Sequence, residues 1–238
     1  GCVYAVGTRL RLATGRPWRA PVPVICVGNL VAGGSGKTPL AIALARRLAA
    51  RGGTPHLLSR GHGGRQAGPL RVDPTRHRAS DVGDEPLLLA AAAPTWIARD
   101  RAAGARAAVA AGAGCIVMDD GFQNPGLAKD LSLIAVDGAY GFGNGRPIPA
   151  GPLREPVAAG LARAAAVVLI GEDRQGVAFQ VAEQSDAPPV LRARIVPDAE
   201  SVAALRDRPV VAFAGIAHPE RFFATLESIG CRVLSRHA

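Results

Sequence analysis

Lysine is almost missing from this chain. Of its 28 basic residues only Lys37 and Lys129 are lysines, set against 19 acids, for a formal charge of +9. Aromatic residues make up 4% of the sequence. That leaves no stacking platform for single-stranded nucleic acid, so the positive charge is not read as a nucleic-acid surface. An arginine excess instead suits phosphorylated or anionic partners, because the planar guanidinium forks onto phosphate. The four cysteines, Cys2, Cys26, Cys115 and Cys231, have no metal-ligand spacing. Cys26 and Cys115 lie inside apolar runs and read as small buried hydrophobes of a reducing compartment. No apolar run is long enough to span a membrane, and no pattern of a cleavable signal peptide is visible. Hydrophobic residues account for 48% of 238 positions, enough for a full core and too many for a disordered chain.

What is present is organised around residues 22–39, Val-Pro-Val-Ile-Cys-Val-Gly-Asn-Leu-Val-Ala-Gly-Gly-Ser-Gly-Lys-Thr-Pro. An apolar run feeds a glycine-dense turn ending in Gly36-Lys37-Thr38, and a helical pattern follows. Strand, glycine loop and helix in that order are the context of a phosphate-binding P-loop. Glycines let consecutive backbone N–H groups converge on phosphate oxygens, and the new helix directs its positive end at the same anion. Gly33, Gly34, Ser35, Gly36, Lys37 and Thr38 are therefore the candidate ATP-binding residues. Lys37 reaches toward the β- and γ-phosphates, and the Thr38 hydroxyl toward Mg²⁺. The loop is unusual, since Val31 stands where the common pattern has its first glycine. The plainer alternative is a glycine turn that starts a helix, with Lys37 in solvent.

Residues 1–20 hold Arg9, Arg11, Arg16 and Arg19 among apolar and aromatic side chains, with no acid. Such a basic amphipathic segment fits an anionic membrane surface or a packed surface helix. Residues 39–51 read as a helix, with Leu40, Leu44 and Leu48 on one face and Gly52-Gly53 ending it. A short strand at 54–58 delivers Ser59-Arg60-Gly61-His62-Gly63-Gly64, and residues 65–80 read as loop. In Gly83-Asp84-Glu85-Pro86, Pro86 suits the first turn of a helix and the acids suit its N-terminus. A strand at 93–97 precedes Arg99-Asp100-Arg101 and an alanine-rich helix to about Ala111. Cys115-Ile-Val-Met-Asp119-Asp120 is an apolar strand ending in acid, the form of a Walker B strand whose carboxylates reach a phosphate-bound Mg²⁺. Strands follow at 131–137 and 166–171. Between them the Gly- and Pro-rich stretch 141–156 is too irregular for helix or central strand and reads as a functional loop. Residues 173–189 read as a linker or hinge. Residues 190–238 read as the start of a smaller α/β lobe, with strands at 190–196 and 210–213, a helix at 219–229, and a further strand from Cys231.

The fold class is thus α/β, a P-loop NTPase-like mainly parallel sheet flanked by helices, with a second, smaller α/β lobe. With these residues placed, the chain resembles the tetraacyldisaccharide 4′-kinases of Gram-negative bacteria. The likeness rests on Val24–Pro39, Ser59–Gly64, Gly83–Leu88, Asp119–Gln123, Asp130–Leu131, Gly141–Gly145 and Pro149–Pro156. It implies ATP-dependent transfer of a γ-phosphate to the 4′-hydroxyl of an acylated glucosamine disaccharide 1-phosphate at the cytoplasmic face of the inner membrane. Residues 21–172 would form the kinase domain. The resemblance implies Asp84 as a catalytic aspartate acting with Lys37. It makes Thr38, Asp119 and Asp120 the Mg²⁺-associated group, and places Arg60, Gln123, Asn144, Arg154 and Glu155 in substrate-contacting motifs. Arg101 is a further substrate-side candidate near Arg60. Two departures stand out. The family commonly has Tyr at His62 and His at Asn124. Its catalytic histidine, in an Asp-His motif downstream of Leu234, has no match here, since Arg236 precedes His237. The chain is accordingly expected to be a piece shortened at both ends. The competing class is a nucleotide-dependent switch or partitioning ATPase. Those would require Asn-Lys-x-Asp or a lysine at position 32, and neither occurs.

Overall fold

The computed structural model describes residues 14–215 and 219–238, together with residues 7, 10 and 12. Half of the basic amphipathic segment 1–20 therefore lies outside the described residues. The chain divides into two compact units, residues 1–193 and 194–238.

The first unit is built on one eight-stranded sheet. Its strands are β1 (Val24–Gly28), β2 (Pro55–Ser59), β3 (Leu70–Arg71), β4 (Thr95–Ile97), β5 (Cys115–Asp119), β6 (Leu131–Asp137), β7 (Ala166–Ile170) and β8 (Val190–Ala193). They lie in the order β3-β4-β2-β5-β1-β6-β7-β8. All pairings are parallel except β3 with β4. The central strands are near-continuous apolar runs because both faces are covered, as a parallel sheet requires.

Helices α1 (Lys37–Ala49) and α3 (Asp84–Ala90) cover one face. There Ala41, Ala45 and Leu89 pack on Val27, Leu57 and Val117. On the other face, helices α4 (Arg101–Ala110) and α6 (Val177–Ala182) close over Cys26, Leu58, Ile116, Met118, Ile134 and Val167. A short helix α2 (Ala79–Val82) precedes α3, and α5 (Val157–Leu161) follows the Gly/Pro-rich loop. The α4 helix starts where it does because the Asp100 carboxylate caps it, accepting from the backbone N–H groups of Ala102 and Ala103 at 2.9 and 3.1 Å. No helix among the described residues is long and apolar enough to cross a membrane.

Residues 173–189 are not a free hinge. Asp173 caps α6 by accepting from Val177 N and Ala178 N at 2.7 and 3.0 Å, and Val177 and Val181 are buried in the core. Strand β8 pairs with β7, so residues 190–193 complete the large sheet rather than open the smaller lobe. The two-residue strand β3 and the helix α2 occupy a stretch whose arginines and prolines read only as loop.

The second unit contains α7 (Ala199–Leu205), β9 (Pro209–Phe213), α8 (Pro219–Ser228) and β10 (Arg232–His237). Its two strands pair in parallel, and Ala212, Phe223, Leu226 and Cys231 form its own small core.

Candidate nucleotide and phosphoryl-transfer site

Strand β1 ends in Gly28, and the chain loops through 29–36 into α1. Gly36 sits at the N-cap with φ 79°, a left-handed conformation that glycine adopts without strain. No side chain caps α1, so its first N–H groups remain for a ligand. Val31 is buried and makes an antiparallel bridge with Leu153. Two backbone bonds flank that bridge, Ala32 N to Pro152 O and Arg154 N to Leu30 O, both 2.7 Å. The glycine loop and the loop ending at Glu155 are thus one backbone assembly. The Val31 side chain is also buried in the same core cluster as Leu153, so position 31 carries an apolar residue where a glycine is usual.

The C-terminal ends of β1, β2, β4, β5 and β6 gather Lys37, Arg60, Arg101, Asp119 and the 141–155 loop along one sheet edge, the edge where open α/β sheets hold ligands. Thr38 Oγ1 donates to Asp119 Oδ2 at 3.0 Å. Asp119 is 1% exposed, and its Oδ1 has no partner. Burial pushes the Asp119 carboxyl up to about 6; the Thr38 hydroxyl and Lys37 oppose the shift, and the like charges of Glu85 and Asp120 add to it. Lys37 is itself buried, with Nζ 4.0 Å from Asp120 Oδ1.

Asp120 has φ 55°, an uncommon value for a non-glycine residue and one that marks a functional strain point. It receives Arg154 as a two-pronged ion pair, Nη1 to Oδ1 at 2.8 Å and Nη2 to Oδ2 at 3.2 Å. Burial alone would raise its pKa, but the charges of Lys37, Arg154 and Arg101 outweigh it and hold the carboxylate below its ordinary value.

Arg101 is 4% exposed and lies under this cluster. Its Nη1 donates to Ala98 O at 2.6 Å, while Nε has no partner. Burial, and then the neighbouring Arg60, lower its pKa to about 10. Arg60 is exposed at the end of β2. The like charge of Arg60 adds to the burial cost of Arg101, and Asp120 and Asp119 oppose it. Asp84 is exposed at the first position of α3, with no hydrogen bond or ion pair among the described residues. Gly83 before it, at φ 90°, passes so close to the 61–62 turn that an added Cβ would come 2.3 Å from His62 O.

The remaining residues named from sequence have other surroundings. Asn144 uses its side chain inside its own loop, donating to Ala150 O at 2.9 Å and accepting from Arg146 N at 3.1 Å. Glu155 is 4% exposed and paired with Arg163, and Gln123 Nε2 donates to Glu155 Oε1 at 3.0 Å and to Asn29 O at 2.9 Å. Both Glu155 and Gln123 therefore brace the cleft rather than line it openly. Sequence reasoning misses Arg163 and the electrostatic reach of Glu85 to Asp119. Arg163 lies in an alanine-rich stretch with no motif; Glu85 is legible only as a capping acid.

The donor set fits a small hard cation. Thr38 Oγ1, the unpartnered buried oxygen of Asp119 and the Asp120 carboxylate are all oxygens, and Mg²⁺ takes one or two carboxylates together with substrate phosphates and water. Among the described residues no group of three or more His, Cys, Asp or Glu is gathered to hold a metal without such help.

Comparison with known proteins gives the family and the fold. A family model described as Tetraacyldisaccharide-1-P 4′-kinase matches residues 1–238. The chain is 66% identical over 233 residues to the Tetraacyldisaccharide 4′-kinase of Rhodospirillum centenum, covering 98% of this chain and 68% of that protein. It is 58% identical over 238 residues to the Tetraacyldisaccharide 4′-kinase of Rhodospirillum rubrum, covering 100% of this chain and 72% of that protein. It is also similar to a crystal structure of LpxK from Aquifex aeolicus in complex with ATP, with a TM-score of 0.77 and 26% identity over 99% of this chain and 78% of that one. Matched along its whole length and carrying the P-loop, the acid pair and the Arg154 loop on one sheet edge, the chain belongs to the tetraacyldisaccharide-1-P 4′-kinase family.

Proposed function

We propose that the protein transfers the γ-phosphate of ATP to the 4′-hydroxyl of an acylated glucosamine disaccharide 1-phosphate. The observation that carries this reading is the Thr38–Asp119 contact at the mouth of the glycine loop, with Lys37 and the Asp120–Arg154 pair beside it. Family membership adds the acceptor. A switch or partitioning ATPase is not favoured.

Phosphoryl transfer asks little covalent chemistry of a protein and much positioning and charge neutralisation. The loop amides of 33–38 and Lys37 bind and orient the β- and γ-phosphates. Thr38, Asp119 and Asp120 would hold Mg²⁺, which supplies positive charge to the phosphate oxygens when bound. Asp84, free of internal partners, takes the proton of the attacking sugar hydroxyl, a role worth about 10²–10⁴ in rate for a general base. Arg60, Arg101 and Arg154 receive the acceptor's phosphate and sugar oxygens, since a planar guanidinium offers paired N–H donors to phosphate oxygens. Residues 1–20, basic and amphipathic, bring the enzyme to the anionic cytoplasmic face of the inner membrane, where such a lipid resides.

The test is transfer of labelled γ-phosphate from ATP to a disaccharide 1-phosphate lipid in detergent micelles, by a protein extended to the full length of its relatives, of which this chain covers 68% and 72%. Label is expected in the lipid, dependent on Mg²⁺, with Arg154→Ala raising the acceptor KM at least tenfold, about 1.4 kcal/mol. ATP hydrolysis without lipid labelling would refute the reading.

A further inference from the structure

Outside the reacting groups, Arg163, just beyond α5, is held by three contacts. Its guanidinium pairs with Glu155 Oε2, its Nε donates to Ala159 O at 3.3 Å, and its plane lies 4.4 Å from the centroid of the Phe122 ring. Each partner neighbours a residue of the cleft. Glu155 follows Arg154, and Phe122 comes two residues after Asp120. Phe122 is fully buried, and it packs so closely on β1 that a Cβ on Gly28 would lie 2.3 Å from its own Cβ. Glu155 in turn accepts from Gln123. The Lys129 ammonium donates to the carbonyls of Phe122 and Asn124, closing the turn from the other side. The Asp120–Arg154 ion pair is therefore bracketed by a second layer in which Arg163, its side chain 35% exposed, joins the buried Glu155 and Phe122 on the same two stretches of chain.

We propose that Arg163 is a positioning residue: by gripping Glu155 and lying on Phe122, it fixes Arg154 and Asp120 relative to each other and so sets the acceptor side of the cleft. The inference rests on the kinase reading above, in which Arg154 meets the acceptor. It gives Glu155 a bracing role instead of a substrate contact. The nucleotide loop has its own support, the Ala32–Pro152 and Leu30–Arg154 backbone bonds, which do not involve the Arg163 side chain. Loss of Arg163 should consequently fall on the acceptor.

Removing Arg163 strands the buried Glu155 carboxylate, which lowers stability whatever the functional role of the pair. The experiment separates the two effects with four variants: Arg163→Met, Glu155→Gln, Arg163→Met with Glu155→Gln, and Arg163→Lys. For each, Tm, nucleotide Kd by titration of a labelled ATP analogue, and acceptor KM and kcat by lipid labelling are measured. Arg163→Met is expected to lower Tm and raise acceptor KM about tenfold, with kcat and nucleotide Kd within threefold of wild type. The double variant, which has no stranded charge, should regain Tm but keep the raised acceptor KM. Arg163→Lys, which still pairs with Glu155, should recover most of the acceptor KM. Acceptor KM unchanged in Arg163→Met, or restored together with Tm in the double variant, would show a purely structural pair and overturn the proposal. A wild-type protein that labels no lipid would refute the kinase reading instead, a distinct outcome.

Discussion

Replacing Asp119 by Asn should make the ligand-free protein more stable and its nucleotide complex weaker. The carboxyl is almost fully buried and titrates near pH 6 in the folded chain, against an ordinary value of 3.8. Between those values the folded state keeps a proton that the unfolded chain has lost, so stability is fullest below about pH 4 and falls as pH rises toward 6. Holding that carboxylate ionised costs the fold roughly 3 kcal/mol at pH 8 and, by the same linkage, roughly 1.5 kcal/mol at pH 5. Asparagine has no charge to desolvate and can still accept from Thr38, although its amide leaves a buried NH₂ group, two N–H donors, unpaired at about 1 kcal/mol. The net gain is then about 2 kcal/mol at pH 8, a Tm rise on the order of 4–8 °C for a chain of this size. It should shrink by about 1.5 kcal/mol at pH 5. Thermal melts of both proteins in chelator at the two pH values measure this. Adding Mg²⁺ and an ATP analogue should reverse the order, because only the carboxylate binds strongly and a ligand stabilises in proportion to its affinity. A Tm difference that does not change with pH, or a variant less stable than wild type at pH 8 in chelator, would refute the account of Asp119 as a desolvated carboxylate.

Three further outcomes follow from the same geometry. Lys37→Ala removes a charge-assisted contact to the phosphates and should cost about 1.5–3 kcal/mol of nucleotide affinity; equal titration curves for mutant and wild type would count against the P-loop assignment. Asp84→Asn should leave nucleotide affinity within threefold while slowing transfer by about 10²–10⁴, and loss of ATP binding would instead make Asp84 a ligand. Gly28→Ala places a methyl 2.3 Å from the Phe122 Cβ, so denaturant titration should show a loss of about 1–3 kcal/mol from overpacking; an unmoved midpoint would mean the ring shifts at no cost.

The parts legible in the sequence are those with local signatures. Residues 131–137 match β6 at both ends, and the glycine loop and Asp119 lie at strand ends as their patterns require. What a linear pattern does not carry is partnership. A strand at 190–193 is as apolar whether it joins β7 or starts another sheet, so a border drawn from pattern falls before it rather than after. Helix α6 is hidden by its polar flanks, Glu172 to Gln175 and Glu183 to Ala187, which enclose six residues of which Val177 and Val181 alone bury themselves. Asn144 and Glu155 sit in the expected loop, but Asn144 spends its side chain on that loop and Glu155 is buried against Arg163. Nothing in the order of residues distinguishes an acid that meets a ligand from one that meets Arg163.

The bridge between Val31 and Leu153 bears on how this site can be inherited or transplanted. A nucleotide loop is commonly treated as a portable cassette, a few glycines grafted between any strand and any helix. Here one flank of the cassette is written more than a hundred residues downstream. Exchanging residues 28–38 alone for a loop with glycine at position 31 would remove the Val31 side chain from the core it shares with Leu153 and loosen the backbone bonds that seat Arg154. Productive chimeras must therefore carry residues 146–155 as well, and an insertion tolerated in most surface turns would, between 147 and 153, be felt at the phosphates.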